Sequence, residues 1–386
     1  MTGIVQTSPP PPSVEGLAHV GTVSFLAGRV TPVGAFWVSL AGGVALARIG
    51  ARTGARGGYG ASLAVMTETV AVMGPARISG PVTQALSAPL LGAMYAGGRG
   101  RNALIAACLA VRLAHYALLT TFFLAVVVGG IDAYVDSYDR IVELTGGLLP
   151  TGTAAALGLS ALSQVASAVV FSVIQVAVYR RALTQEDGTP RAVAARGELP
   201  AQRSGRWVVV LAWSVVAAWI LMLATTAWPV LAAVAAAVAV GTVAAGRSGR
   251  RAMQLGAALG SALALGAIVP GLLGAVDLDD ATRRAVRAFL LVASASLVQA
   301  VVGADGVRRL AAGGLRALRR VPAVREAAAL APILRADRRV VPASLQLVAS
   351  AREASPSPRA LSAAVVAWVD DESRRGPGSE TRDVGA

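Results

Sequence analysis

The apolar positions of this chain fall into long runs, several of about 18 residues or more, the length at which a hydrophobic stretch reads as a membrane-crossing helix. Residues 31–47 predict a first span, closed by Arg48, Arg52 and Arg56. Residues 103–130 and 152–179 each suffice for one more. The run 207–246 exceeds one helix, and Thr225, Thr226, Trp228 and Pro229 inside it predict a helical hairpin. Residues 253–276 and 286–303 complete the set.

Two stretches read differently. Residues 16–30 are only moderately apolar, which suits a helix lying at the membrane surface. In residues 60–97, Gly74, Pro75, Gly80, Pro81 and Pro89 leave apolar pieces of about 15 residues, short of the roughly 20 that a crossing helix needs. Those pieces are half-helices that dip in and out, or two short spans.

Charge then orients the pattern. Arg48 to Arg56, Arg99 with Arg101, Arg180 with Arg181, the loop holding Arg191, Arg196, Arg203 and Arg206, and Arg247 to Arg251 sit at alternate ends of the runs, as the cytoplasmic ends of spans do. Asp132, Asp136, Asp139 and Glu143 mark an opposite loop, and Asp277, Asp279 and Asp280 a second. Arg283, Arg284 and Arg287 break the alternation at an outward end, where the neighbouring acids offer compensation. The expected fold is all-α: a polytopic transmembrane helix bundle of about seven spans plus a broken helical hairpin, N-terminus outside and C-terminus in the cytoplasm.

Residues 1–16, with the proline run Pro9 to Pro12 and no basic residue, read as a disordered lead rather than a signal peptide. Residues 17–303 form the transmembrane domain. Residues 304–386 carry 14 arginines against 9 acids and no run long enough to cross, so they read as a basic cytoplasmic tail, disordered at its end. Leu315, Leu318, Val321 and Val324 among Arg316, Arg319, Arg320 and Arg325 predict an amphipathic helix at the inner surface or packed on its own domain.

Composition narrows the chemistry. Hydrophobic residues make up 55% of the 386 and charged ones 15%, which excludes a soluble enzyme. All 35 basic residues are arginine, so no Walker A lysine and no pyridoxal Schiff base is available. Cys108 is alone, and His19 and His115 are far apart, so zinc sets, c-type haem attachment and internal disulfides are excluded. No cofactor is expected. The net charge of +14 raises nucleic acid as a partner, but arginines at the ends of apolar runs point to anionic headgroups of the lipid bilayer instead.

Ionisable groups inside apolar runs are costly at about 2.5 to 3.5 kcal/mol each, so the survivors line a cavity or pair with one another. Glu68, Arg77, Arg112 and His115 qualify, the last two sharing a helix face by their i, i+3 spacing. A Glu68–Arg112 pair is the simplest neutralisation; a pair that only fixes helix register, and a structural histidine, are the plainer alternatives. The break at Pro75, Arg77, Ser79 and Pro81 leaves unpaired backbone groups of the kind transporters use for binding, which makes it the candidate pathway or gate. Arg56 precedes Pro75 by the same interval as Arg251 precedes Pro270, a hint of an internal repeat. Gly256 and Gly260 form a small-xxx-small pair suited to close helix packing.

Gly74-Pro75, Ser79 and the run Ala85-Leu86-Ser87-Ala88-Pro89-Leu90 resemble the membrane (permease) subunits of ABC-2-type exporters of actinomycete-like bacteria, over residues 65–118. The tryptophan expected near Gln84 or Ala85 is missing, and the basic pair usual after proline-leucine comes only at Arg99 and Arg101. The resemblance implies a permease in the bacterial plasma membrane without ATPase activity of its own, driven by a separate ATP-binding subunit. Pro75-Ala76-Arg77 with Arg112 is also similar to flippase-like regions related to lysylphosphatidylglycerol synthases, although Ser79-Gly80 stands where glycine-glutamate belongs. Ser79 and His115 supply two members of an intramembrane serine hydrolase, but Arg77 occupies the place of the glycine in its turn.

The functional expectation is therefore a non-enzymatic membrane component of a transporter, an exporter permease, with a non-transporting scaffold or a lipid flippase as alternatives. Arg180, Arg181, Arg191 and Arg196 are the expected docking residues for the ATP-binding partner. A second copy of the chain is a further candidate partner.

Overall fold

The computed structural model describes residues 13–30, 35–74, 82–184, 206–335, 340–353 and 357–375. Among them every regular element is helical: α1 (Val14–Val30), α2 (Ala35–Met73), α3 (Val82–Ala96), α4 (Arg101–Phe122, continued by a π-helical turn Phe123–Val128), α5 (Ile131–Leu144), α6 (Thr153–Thr184), α7 (Arg206–Ala224), α8 (Trp228–Leu272), α9 (Leu278–Ala317), α10 (Pro322–Arg335), α11 (Val340–Glu353) and α12 (Pro358–Arg375).

Six segments are long and apolar enough to cross a membrane: Arg101–Val128, Thr153–Thr184, Trp207–Ala224, Trp228–Gly246, Gly249–Leu272 and Leu278–Ala317. They coincide with six of the seven expected spans, including both arms of the 207–246 hairpin. The remaining run, 31–47, falls largely in the first arm of α2, where Val38 to Gly50 is buried without interruption. Protein, rather than lipid, covers that arm.

Three long helices are broken at a glycine with positive φ and ψ near 180°: Gly54 (φ 76, ψ 174), Gly246 (φ 62, ψ −156) and Gly303 (φ 66, ψ 177). That backbone region is essentially closed to residues with a Cβ. A second glycine follows each at the third position, and a Cβ on Gly57, Gly249 or Gly306 would run into Thr53, Ala245 or Val302, the residue just before the break. The G-x-x-G spacing is thus one device used three times: the first glycine supplies the turn and the second admits the returning chain.

α3 shows why Pro89 does not end a helix as the sequence led us to expect. It lies inside α3, where a proline removes the hydrogen bond to the carbonyl four residues back. Ser62 Oγ donates to that carbonyl, Ala85 O, at 2.6 Å, and Tyr59 Oη donates to Leu86 O at 3.0 Å. α2 repairs the helix that the proline disrupts. Close approach is possible because Gly50 and Gly58 present no side chain to Pro89.

α1 is the centre of the first core. Leu17, Ala18, Val20, Val23 and Phe25 are wholly buried, so α1 is not the surface-lying helix its moderate hydropathy suggested. It is wrapped by α2 and by α10, α11 and α12, the helices of the basic tail. Amphipathic tail helices lend α1 the apolar cover that a membrane would otherwise give. A second core, with Met222, Leu231, Leu290, Leu291 and Leu297, joins α7, α8 and α9. There Gly256 faces Ser296 so closely that it has no room for a side chain, and Gly260 packs tightly on Phe289, as the small-xxx-small reading anticipated.

The acidic segment after α4 forms a helix, α5, rather than an open loop. Asp132 lies in its first turn, where the helix dipole favours an acid, and Asp139 accepts a hydrogen bond from Gly152 N at 2.7 Å, tying down the turn that leads into α6.

Candidate functional site

Where α3, α4 and α6 meet, the interior is polar. Thr83 and Ser87 come from α3, Arg112 and His115 from α4, and Ser172, Gln175 and Tyr179 from α6; all seven are buried. The helical periods place them: Thr83 with Ser87, and Gln175 with Tyr179, are four apart, while Arg112 with His115, and Ser172 with Gln175, are three apart.

The hydrogen bonds link into a chain. Arg112 Nη2 donates to Gln175 Oε1 at 2.6 Å. Gln175 Nε2 donates to Ser87 Oγ at 2.8 Å and approaches Tyr179 Oη at 3.1 Å. Ser87 Oγ passes a hydrogen bond to Thr83 O, and Thr83 Oγ1 lies 2.7 Å from His115 Nδ1. One face of the Arg112 guanidinium is set 5.7 Å from the centre of the Phe171 ring. Its Nε has no hydrogen-bond partner, and the Cys108 thiol lies beside both the guanidinium and the Ser172 hydroxyl. Among the described residues no carboxylate pairs with Arg112. A buried cation answered by an amide oxygen, an aromatic face and the Cys108 thiol, but by no carboxylate among the described residues, is the feature of this site that packing alone does not explain.

Glu68 is elsewhere. The expected Glu68–Arg112 pair does not form: Arg308, beyond the break at Gly303, grips Glu68 with two nitrogens, Nε donating to Oε2 at 2.9 Å and Nη2 bonding to Oε1. Arg308 Nη1 also reaches Asp305 at 2.9 Å. No local pattern points to this partner, because 240 residues separate the two. Nearby, Gln299 donates to Val72 O at 2.7 Å, so the end of α2 is held against α9 on both sides of that helix's break. Pro75, Arg77, Ser79 and Pro81, the expected gate, lie outside the described residues.

A third group of ionisable residues was not anticipated. Asp370, Asp371 and Glu372 are the one acidic run of the tail. Asp370 pairs with Arg48, which is buried and also donates to Ala182 O at 3.2 Å. Glu372 Oε1 meets His19 Nε2 at 3.2 Å inside the core, and Glu326 of α10 meets Arg56 at 3.2 Å nearer the surface. Arginines read as cytoplasmic ends are thus partners of the tail. Of the expected docking residues, Arg180 and Arg181 end α6, with Arg181 exposed beside Ala363, Val366 and Asp370 of α12; Arg191 and Arg196 lie outside the described residues.

The arginines that broke the charge alternation have their own explanation. The π-helical turn at the end of α4 leaves carbonyls without helical donors, and Arg284 Nη1 donates to Val128 O at 2.7 Å while Arg287 bonds to Val126 O. Arg283 pairs with Asp279 and stacks on Trp228.

With six apolar spans and a lipid-compatible surface, the chain is an integral, multi-pass helical membrane protein. No protein family, curated protein or solved structure matches it.

Proposed function

We propose that the protein is the membrane component of a transporter, an exporter permease energised by a separate ATP-binding subunit. The observation that carries the reading is Arg112: a buried guanidinium without a carboxylate, at the junction of two apolar helices and linked to a row of neutral hydrogen-bonding groups. Ionisable residues in such positions are retained where they line a path or hold a substrate. Glu68 and Arg308 join the end of α2 to the segment beyond the α9 break, so a change at one reaches the other. The tail, with Arg181 at its border, offers the face on which an ATP-binding subunit would act, with the C-terminus in the cytoplasm.

A static scaffold is the second reading, favoured by the closed ion pairs Arg48–Asp370, His19–Glu372 and Glu68–Arg308, which knit distant segments together. The sole cysteine separates the two, because Cys108 lies one helical turn from Arg112. In membranes from cells expressing the intact chain, ATP should change the rate at which a small water-soluble thiol reagent modifies Cys108, and ATP hydrolysis should co-purify with the chain in mild detergent. A modification rate indifferent to ATP, together with no co-purifying hydrolysis, would leave the scaffold.

A further inference from the structure

α4, α7, α8 and α9 enclose an apolar cleft of about 200 Å³, lined by Phe122, Val126, Trp219, Leu263, Leu291 and Ala295 among others. Phe122, Trp219 and Leu223 at its rim are exposed, so the cleft opens on the apolar outer surface rather than into the protein. Its polar feature is Trp219 Nε1, already committed to Ser294 Oγ at 2.8 Å. An apolar space opening on an apolar surface takes a hydrocarbon chain.

What sits at one end of the cleft specifies that chain further. On α9, Ala288, Leu291, Val292 and Ala295 line the space, and Arg284 and Arg287 continue the same stripe, each four residues before a lining residue, Ala288 and Leu291 respectively. From position 284 to 295 the stripe runs roughly 16 Å along the helix, a length comparable to an acyl chain. Neither arginine has a carboxylate partner among the described residues. Each gives one hydrogen bond to a carbonyl at the end of α4, Arg287 is buried, and its Nε is unsatisfied. Two like charges one helical turn apart, with donors to spare, beside a space that excludes water, call for an anion carried on an apolar tail.

We propose that this cleft is a binding site for an anionic phospholipid, with one acyl chain between α7 and α9 and the phosphate on Arg284 and Arg287. The end of the π-helical turn serves the site because its Val126 and Val128 carbonyls accept from the two guanidinium groups and fix them beside Val126, itself a lining residue of the cleft. The site is independent of the transport reading, since it shares no residue with the Arg112 network.

The test compares the intact chain in nanodiscs of phosphatidylcholine alone with nanodiscs containing phosphatidylglycerol, reading the melting temperature and the lipids retained after detergent extraction by native mass spectrometry. Phosphatidylglycerol should raise the melting temperature by several degrees and remain bound in preference to phosphatidylcholine. Arg284→Gln with Arg287→Gln should abolish the preference. Because that pair also caps α4, Ala288→Phe provides a second arm: it fills the cleft, leaves both arginines in place, and should lose the retained lipid. Inorganic phosphate added to phosphatidylcholine nanodiscs should not reproduce the shift. The proposal is overturned if both lipids behave alike, if phosphate alone suffices, if Ala288→Phe retains phosphatidylglycerol, or if that variant instead dissociates a dimer, which would assign the cleft to a helix of a second copy.

Discussion

α1 and α7 are helices of similar length, 17 and 19 residues, and both are largely apolar, yet they occupy opposite environments. α1 is buried on every side among α2 and the tail helices. α7 exposes Trp207, Val210, Trp213 and Ile220, and only 11% of its apolar window is covered by protein. The difference shows in what each tolerates. α1 contains His19 and Ser24, which bond to Glu372 of α12 and Val38 O of α2, whereas beyond its first residue α7 carries no ionisable group and its serine, Ser214, bonds to its own helix. Apolar length tells that a helix avoids water; the polar residues between tell whether protein or lipid replaces it.

The largest expected effect that separates the two regions is at the tail clamp. Asp370→Ala leaves Arg48 buried without its carboxylate and should cost about 4 kcal/mol, a loss of the same order as breaking other buried ion pairs. Thermal unfolding in detergent should show the region of α1 and α2 released first, as cleavage by a protease near the amino terminus. A variant as stable as the parent would mean that the tail does not hold α1.

Next comes the lipid face. Val216→Lys, at the middle of α7, should raise the cost of membrane insertion by about 3 kcal/mol, read as a reduced inserted fraction in a translocation assay. Leu345→Lys, at an exposed position on α11, should leave insertion unchanged. Equal effects would erase the distinction between the regions.

The glycine breaks are common to both. Gly246→Ala should destabilise by about 2 kcal/mol, because its backbone region excludes a Cβ, and Gly54→Ala by a similar amount. Unfolding midpoints of the two variants check this; a neutral Gly246→Ala would show that the turn relaxes to ordinary geometry. The smallest effect is Leu221→Ala on the exposed side of α7, expected within about 0.5 kcal/mol of the parent, against about 3 kcal/mol for Leu17→Ala in α1. That pair of truncations makes the same chemical change in the two surroundings.

Much of this fold was legible. Six of the runs are helices of the right length, the 207–246 hairpin turns where Trp228 and Pro229 suggested, and Gly256 with Gly260 marks a close helix contact. The run 31–47 lies in an arm of α2 covered by α1, α3, α6 and, more than 300 residues along, α12, and hydropathy does not distinguish a lipid-facing helix from one inside a protein core. Pro89 misled because its cost is met by Ser62 and Tyr59, residues of another helix. At the candidate site, Arg112 and His115 were recognisable as ionisable groups on one face of an apolar helix, and Glu68 as a buried acid. Their partners were not: the Glu68–Arg308 pair and the Arg112–Gln175 contact depend on helix packing that no local pattern encodes. The G-x-x-G spacing at the three breaks was present in the sequence throughout, and its meaning came from the backbone angles.

The tryptophans allow the most direct test of the contrast, since Trp37 and Trp368 pack on the α1 core while Trp207, Trp213, Trp219 and Trp228 belong to the α7–α9 region. Two variants, each keeping one set and replacing the other with phenylalanine, can be reconstituted in lipid brominated along its acyl chains. Strong fluorescence quenching is expected for the α7–α9 set and little for Trp37 with Trp368. Strong quenching of Trp37 and Trp368 would place lipid against the α1 core and contradict the contrast.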